Sequence, residues 1–368
     1  EIYTLSLHDA LPIYNVDYSG STSLINKLKM GINIIYSQEA KRKFEELVIK
    51  TKPDIVHLHI FQHQLSPSIL DVCKKYNLPT VYTAHDLKMV CLNYKMMHHG
   101  HVCEDCKDGH MYHCALNKCV KDSFSKSCIN TVEGYLHKWR KSYDAIDYII
   151  TPSEFYKTKF EEFGVQPNRL VHIPNFLDRE VPTVNDREDQ EKYYLYFGRL
   201  SEEKGILTLI KAIENVNANL YIVGSGPLKG EIERYISSRE LYNIKLLGFK
   251  SGQELIDIVG NARAVVLPSE WYENGPYSAI EALQVGRPII GANIGGIPEL
   301  VRKNGELFTS GCIEELSGCI NKFEKISRAR YDQMKKDSFD MFEECYTPNG
   351  HYDKLMKIYE KAQRKHGE

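Results

Sequence analysis

The sequence predicts a two-domain α/β protein with a parallel sheet in each domain. Three observations carry that expectation. At roughly 150 residues per domain, 368 residues suggest two domains. Short β-branched runs alternate with amphipathic stretches along most of the chain, which implies right-handed βαβ units. The alternation breaks at LDREVPTVNDREDQEK (177–192), a charged, proline-containing stretch without an apolar face, and this is the expected linker.

Composition narrows the class. The chain is 42% hydrophobic and 26% charged, as soluble globular proteins are. Lys plus Arg number 47 and Asp plus Glu 49, a formal charge of −2 that argues against a general polyanion binder, so no nucleic-acid partner is expected. No run reaches the roughly 18 apolar residues of a membrane-spanning helix. No charged start followed by an apolar core marks a signal peptide, which makes a cytoplasmic location the expectation. Seven of the ten cysteines lie between Cys73 and Cys128, unlike the uniform density of a small secreted disulfide scaffold.

The elements follow in order. EIYTLSLHDALPI (1–13) resembles a translated sequencing-library adapter and is set aside as non-native. The first domain is then expected over 14–176, incomplete at its N-terminus, with a sheet that lacks a strand and exposes an unpaired edge. QEAKRKFEELVIKTK (38–52) is helical, with Phe44, Leu47 and Val48 on one face and Pro53 ending it. DIVHLH (54–59) is a strand, 65–77 a helix, and LPTVYTAHD (78–86) a strand with a polar end. The stretch 91–123 has no periodicity and reads as a Cys-rich insertion. A helix over 125–143, a strand over 145–153, a helix to Phe163 and the run 169–175 close this half.

The second domain, 193–345, repeats the alternation more regularly. Strands are expected at 193–198, 219–224, 243–248, 264–269 and 287–292, with helices at 204–215, 227–239, 252–260 and 277–285. The tail from Cys312 to Gln363 is helical, and 346–368 is a C-terminal helix with Met356 and Tyr359 on its apolar face. Two Rossmann-like domains facing a cleft result, with ligands expected outside the carboxyl ends of the strands.

Polar residues cluster there. In WYENGPYSAIEALQVGRPII (271–290), Glu273 precedes Glu281 by eight positions. Gly275, Pro276, Tyr277 and Ser278 lie between them at a loop-to-helix junction whose open amides suit an anion. Glu281, one turn into the helix, can accept two hydrogen bonds from a vicinal diol. Taken alone, the segment reads equally well as an acidic helix start stabilised by the dipole. FGRLSEEKG (197–205) places Arg199 and Lys204 around one turn, two cations within reach of one diphosphate. VGSGP (223–227) is a glycine turn, Gly224 and Gly226, that would bring backbone close to a ligand.

These pieces together resemble the family-4-type glycosyltransferases of the GT-B fold. The matching segments are FGRLSEEKG, IVGSGP, LLGF, the Glu273-to-Glu281 stretch and GANIGGIPELV (291–301), and the likeness covers nearly everything from residue 54 onward. It implies a UDP- or GDP-sugar donor bound mainly by the second domain. It also implies hexosyl transfer with retention to a glycan or lipid-linked acceptor, in surface polysaccharide or glycoconjugate biosynthesis. By the same resemblance, Arg199 and Lys204 hold the diphosphate, Glu281 takes the ribose and Glu273 contacts the transferred sugar. Amides near Pro276–Ser278 add to the phosphate site, and Gly248 and Phe249 lie near the base. His85 of YTAHD reaches the donor from across the cleft. No catalytic metal is expected, because two cations already serve the leaving group and no Asp-x-Asp follows a strand. The rival readings are a nucleotide-sugar epimerase of the same fold, a dinucleotide oxidoreductase built on Gly224 and Gly226, and a zinc-stapled binding module.

Two features stand apart. Cys103, Cys106, Cys114 and Cys119 form C-x2-C-x7-C-x4-C, a spacing that suits structural zinc, with His98, His99, His101, His110 and His113 as alternative ligands. Reduced loop thiols or labile disulfides fit the pattern as well. The stretch Gly134–Tyr143 mixes Tyr135, Leu136 and Trp139 with Lys138, Arg140 and Lys141. It reads as a peripheral membrane contact or, more commonly, as a packing helix with snorkelling cations.

Overall fold

A computed structural model describes residues 31–62, 65–178, 180, 182–184 and 192–367. The expectations for 1–13, for a missing opening strand and for most of the linker fall outside these residues. The first domain holds β1 (Val56–His59), β2 (Thr80–Thr83), a small hairpin of β3 (Met97–His98) and β4 (His101–Val102), β5 (Tyr148–Thr151) and β6 (Leu170–His172). Among the described residues its main sheet is parallel, in the order β1-β2-β5-β6.

The second domain contains β7 (Tyr193–Phe197), β8 (Asn219–Val223), β9 (Ile244–Gly248), β10 (Ala264–Leu267), β11 (Ile289–Ala292) and β12 (Gly305–Phe308). They form one parallel sheet in the order β12-β11-β10-β7-β8-β9. All five residues of β7 are buried, as expected for a central strand covered by helices on both faces. The helix Ile206–Glu214 shows why: Ile206, Leu209, Ile210 and Ile213 recur at helical spacing and are fully buried. Each such side chain contributes about 1.5–3 kcal/mol of burial free energy. Strand order reverses where β7 meets both β8 and β10, and that switch point opens a crevice at their carboxyl ends.

Three elements differ from expectation. β12 reads as loop in the sequence because GELF carries a charge and leaves three of its four residues only partly covered, so it has no continuous apolar run. The hairpin β3–β4 is two residues per strand, too short for any periodicity. The helical tail is three helices, Ile313–Lys325, Arg328–Cys345 and Pro348–Gly367, with the Ser327 hydroxyl capping the second at Arg330 N.

The last helix leaves the second domain and packs on the first. Ile358 and Ala362 are buried against Val81, Ile150 and Ile173, with Leu355 and Tyr359 alongside. The seam therefore runs 355, 358, 359, 362, and Met356 lies beside it, half-buried. His351 Nδ1 at 2.8 Å from Pro174 O and His57 Nδ1 at 2.7 Å from the Tyr359 hydroxyl tie the helix down.

The helix Phe124–Trp139 buries its polar side. Ser127, Asn130, Glu133 and His137 face inward, whereas Phe124, Val132, Tyr135 and Trp139 are exposed, Trp139 by 81%. The inward face is held by a Lys88–Glu133 ion pair at 2.8 Å, both side chains 2% exposed, and Lys88 also donates to Leu92 O. The aromatic side chains of this stretch therefore do not pack as expected: polar groups face inward, and Tyr135 and Trp139 meet solvent.

Candidate active site

A cavity of about 270 Å3 occupies the crevice between β7 and β10. Tyr196, Phe197, Gly198 and Arg199 wall it from the end of β7, and Leu267, Ser269 and Glu273 from the end of β10. Lys204, Pro276, Tyr277, Ser278 and Glu281 complete it. The cations, both glutamates and the loop-to-helix junction singled out from the sequence thus share one pocket.

Glu273 is its most constrained member. The side chain is 6% exposed and accepts from Ser269 Oγ at 2.7 Å and Lys204 Nζ at 2.6 Å. The Lys204 ammonium also lies 5.2 Å from the Trp271 ring centroid. The backbone beneath is set by GANIGGIPELV: Gly296 N donates to Glu273 O at 2.7 Å, and a Cβ on Gly296 would sit 1.9 Å from Asn274 O. Only glycine permits that approach, so this stretch positions the Glu273 loop.

The helix Tyr277–Gln284 begins on Pro276, whose φ of −65° and ψ of 125° place it at the N-cap rather than inside the first turn. No side chain caps the helix, so its first amides and the positive end of its dipole face the cavity. Arg199 is exposed at the pocket rim. An uncapped helix N-terminus flanked by one exposed and one anchored cation suits a diphosphate.

Other expected residues stand elsewhere. At Gly224 and Gly226 an added Cβ would collide with backbone, Gly198 O at 1.9 Å and Leu200 O at 2.3 Å respectively. Their smallness serves loop packing beside β7. Gly248 O accepts from Gly224 N at 2.8 Å, and Phe249 is 73% exposed, beyond the pocket wall. Gly275 O accepts from Asn175 Nδ2 at 2.9 Å, a contact that joins the domains.

His85 also lies at the domain boundary, outside the pocket wall. Its backbone is clamped with Ala84 by Asn274 Nδ2, 3.0 Å from Ala84 O and 3.4 Å from His85 O, and Asn274 Oδ1 accepts from Ser153 Oγ at 3.0 Å. Its ring Nε2 is 2.8 Å from His59 Nδ1. On the adjacent strand position, His57 Nε2 contacts Thr83 Oγ1 at 2.8 Å. Burial first, and then the neighbouring His59, His85 and His351, hold the His57 ring down to about 3. Burial likewise lowers His85. Asn274, Tyr196 and Ser269 went unrecognised in the sequence; only the position of Asn274 between Glu273 and the glycine turn hinted at a role. Cys103, Cys106, Cys114 and Cys119 do come together in the insertion, around a small cavity that Cys91 also lines.

Two family profiles match in tandem: "Glycosyltransferase Family 4" over residues 14–181 and "Glycosyl transferases group 1" over 178–340. Together they run without a gap across both domains. The chain is a family-4-type glycosyltransferase of the GT-B fold. An uncharacterized glycosyltransferase of Methanocaldococcus jannaschii is 29% identical over 173 residues, 47% of each chain. The O-antigen chain mannosyltransferase C of Escherichia coli is 24% identical over 214 residues, 55% of this chain and 54% of that one. The match thus spans about half the length of these two relatives. A crystal structure of Anabaena HepE in complex with UDP superposes with a TM-score of 0.66 at 18% identity, covering 87% of this glycosyltransferase and 82% of that chain. Relatives of this glycosyltransferase act in polysaccharide biosynthesis. No helix among the described residues is long and apolar enough to cross a membrane.

Proposed function

We propose that this glycosyltransferase moves a hexosyl group from a UDP- or GDP-sugar to a glycan or lipid-linked acceptor, with retention of anomeric configuration. One observation carries the reading: two cations, an uncapped helix N-terminus and two carboxylates eight residues apart line a single cavity at the strand-order switch. The solved HepE complexes with UDP and with UDP-glucose, on the same fold, support a nucleotide-sugar donor. In transfer, the anomeric carbon–oxygen bond breaks and its electron pair goes to the departing diphosphate. The acceptor hydroxyl oxygen forms the new bond to the anomeric carbon, and its proton passes to an oxygen of the departing diphosphate. Arg199, Lys204 and the amides at Tyr277 and Ser278 meet the charge that develops on the leaving oxygen. Glu281 accepts from the ribose hydroxyls and Glu273 from a hydroxyl of the transferred sugar. His85, on the acceptor side, faces the donor once the cleft closes. The exposed aromatic and basic face around Trp139 meets the inner membrane surface that bears a lipid-linked acceptor.

Calorimetry with UDP and GDP tests the carboxylate assignment. Glu281→Ala is expected to weaken nucleotide binding about 100-fold, the loss of two hydrogen bonds to a charged group. Glu273→Ala is expected to weaken that binding less, because the ribose contact survives, while transfer falls with loss of the contact to the sugar. Equal, negligible effects of both on binding would sink the assignment.

A further inference from the structure

The insertion 91–123 takes no part in the cavity at the strand ends, yet one short stretch of it gathers three unlike metal-binding groups. His98, Cys103 and Asp105 offer a ring nitrogen, a sulfur and a carboxylate oxygen, all within 4.8 Å of one another. Among the described residues no other three His, Cys, Asp or Glu side chains converge in this way, and no three of the cysteine sulfurs do.

The backbone prepares that convergence. His98 ends β3 and faces His101 across the hairpin. His99 and Gly100 connect the strands with positive φ values of 47° and 77°, the left-handed pair of a tight two-residue turn. Cys103 N then donates to Met96 O at 2.8 Å, which extends the hairpin past its ladder and keeps Cys103 beside the His98 strand. Asn93 Nδ2 anchors that strand by donating to Met97 O at 2.7 Å. Asp105 follows Cys103 by two residues, the spacing that shares one side of an extended segment. Two further observations point to a ligand. His98 Nδ1 is buried without a partner, a costly state for a polar atom. The Asp105 carboxylate accepts from Asn117 Nδ2 at 2.8 Å, an outer contact of the kind that orients a ligating carboxylate. We propose that His98, Cys103 and Asp105 hold one zinc ion, with solvent in the fourth position.

Imidazole, thiolate and carboxylate are all zinc ligands, and the thiolate disfavours magnesium and calcium, which take oxygen. One thiolate and one carboxylate cancel the two charges of the ion. As it binds, the Cys103 thiol gives its proton to solvent and the neutral His98 ring presents a nitrogen lone pair. Asp105 is exposed, which leaves the fourth position on the solvent side. The ion cross-links the hairpin to a segment that reaches the other domain. Glu104, between two of the ligands, accepts from the Tyr272 hydroxyl at 2.6 Å and pairs with Lys159 at 2.8 Å. Tyr272 adjoins Glu273, so the metal steadies a contact beside the pocket without entering it.

The test is elemental analysis of the full chain, purified under reducing conditions from zinc-supplemented cells and exchanged against a weak chelator, with cobalt substitution alongside. About one zinc per chain is expected, and the cobalt form should show the sulfur-to-metal absorption of a single thiolate. His98→Ala, Cys103→Ser and Asp105→Ala should each lose most of the metal, while Cys106→Ser and Cys114→Ser retain it. Asn117→Ala should keep the site but weaken zinc binding about 10–100-fold. Wild-type protein with well under one equivalent overturns the site whatever the variants do. A cobalt band of four-thiolate intensity, or loss of metal in Cys106→Ser with retention in His98→Ala, overturns the ligand set.

Discussion

The two faces of the cleft are built by different means. On the second domain, every wall of the pocket follows a strand of one sheet: Arg199 and Lys204 follow β7, and Glu273 and the Pro276 junction follow β10. Parallel topology puts those strand ends side by side, so position along the chain predicts position in space. On the first domain, the cleft face is assembled by distant partners. Asn274 clamps Ala84, Glu104 meets Tyr272, and Tyr359 of the last helix meets His57. Chemistry placed by topology survives in local motifs. Chemistry placed by side-chain contact between remote segments does not.

The largest expected effect tests the first kind of placement. On the proposed reading, Lys204→Ala removes a cation from the leaving group and should lower the rate of sugar transfer about 10²–10³-fold, the cost of one transition-state donor. Steady-state release of nucleotide diphosphate checks it; a rate within threefold of wild type would separate Lys204 from the chemistry. A smaller effect tests the exposed face of the first domain. Trp139→Ser should weaken binding to anionic vesicles about tenfold, the burial energy of one aromatic side chain, and leave the melting temperature unchanged. Unaltered co-sedimentation would assign that face to another role.

The smallest effect concerns the contact between the last helix and the first sheet. His57 stays neutral in the folded chain down to about pH 3, against an ordinary value of 6.5. Between those values the unfolded chain binds the extra proton, so this contribution to stability is intact above pH 6.5 and falls as pH drops toward 3. His57→Gln lacks the group. The gap in melting temperature between wild type and variant should therefore narrow from pH 7 to pH 5, and parallel curves would dissociate His57 from the acid response.

Most of the α/β architecture was legible because it rests on periodicity. Helix Ile206–Glu214 and the strands around it carry their apolar residues where the sheet needs them. The pocket-lining residues were legible because they cluster after strands. The Lys204–Glu273 pair was not, since nothing in the spacing of a lysine and a glutamate 69 positions apart announces contact. Gly224 and Gly226 show a related limit: a glycine reports close approach, not what approaches. Cys91 was passed over because it lies twelve residues before the compact CxxC, although the fold returns it to the same cavity. The helix Phe124–Trp139 inverts its faces because Lys88 and the insertion present polar partners to it.

The return of the last helix to the first domain bears on how the chain is made. Val81, Ile150 and Ile173 leave the ribosome long before Ile358 and Ala362, which cover them. At about 5–20 residues per second, synthesis of the intervening stretch takes roughly 10–40 s. Through that interval the nascent first domain shows an uncovered apolar strip, while the second domain can complete its own core. The half of the molecule synthesised first is finished last.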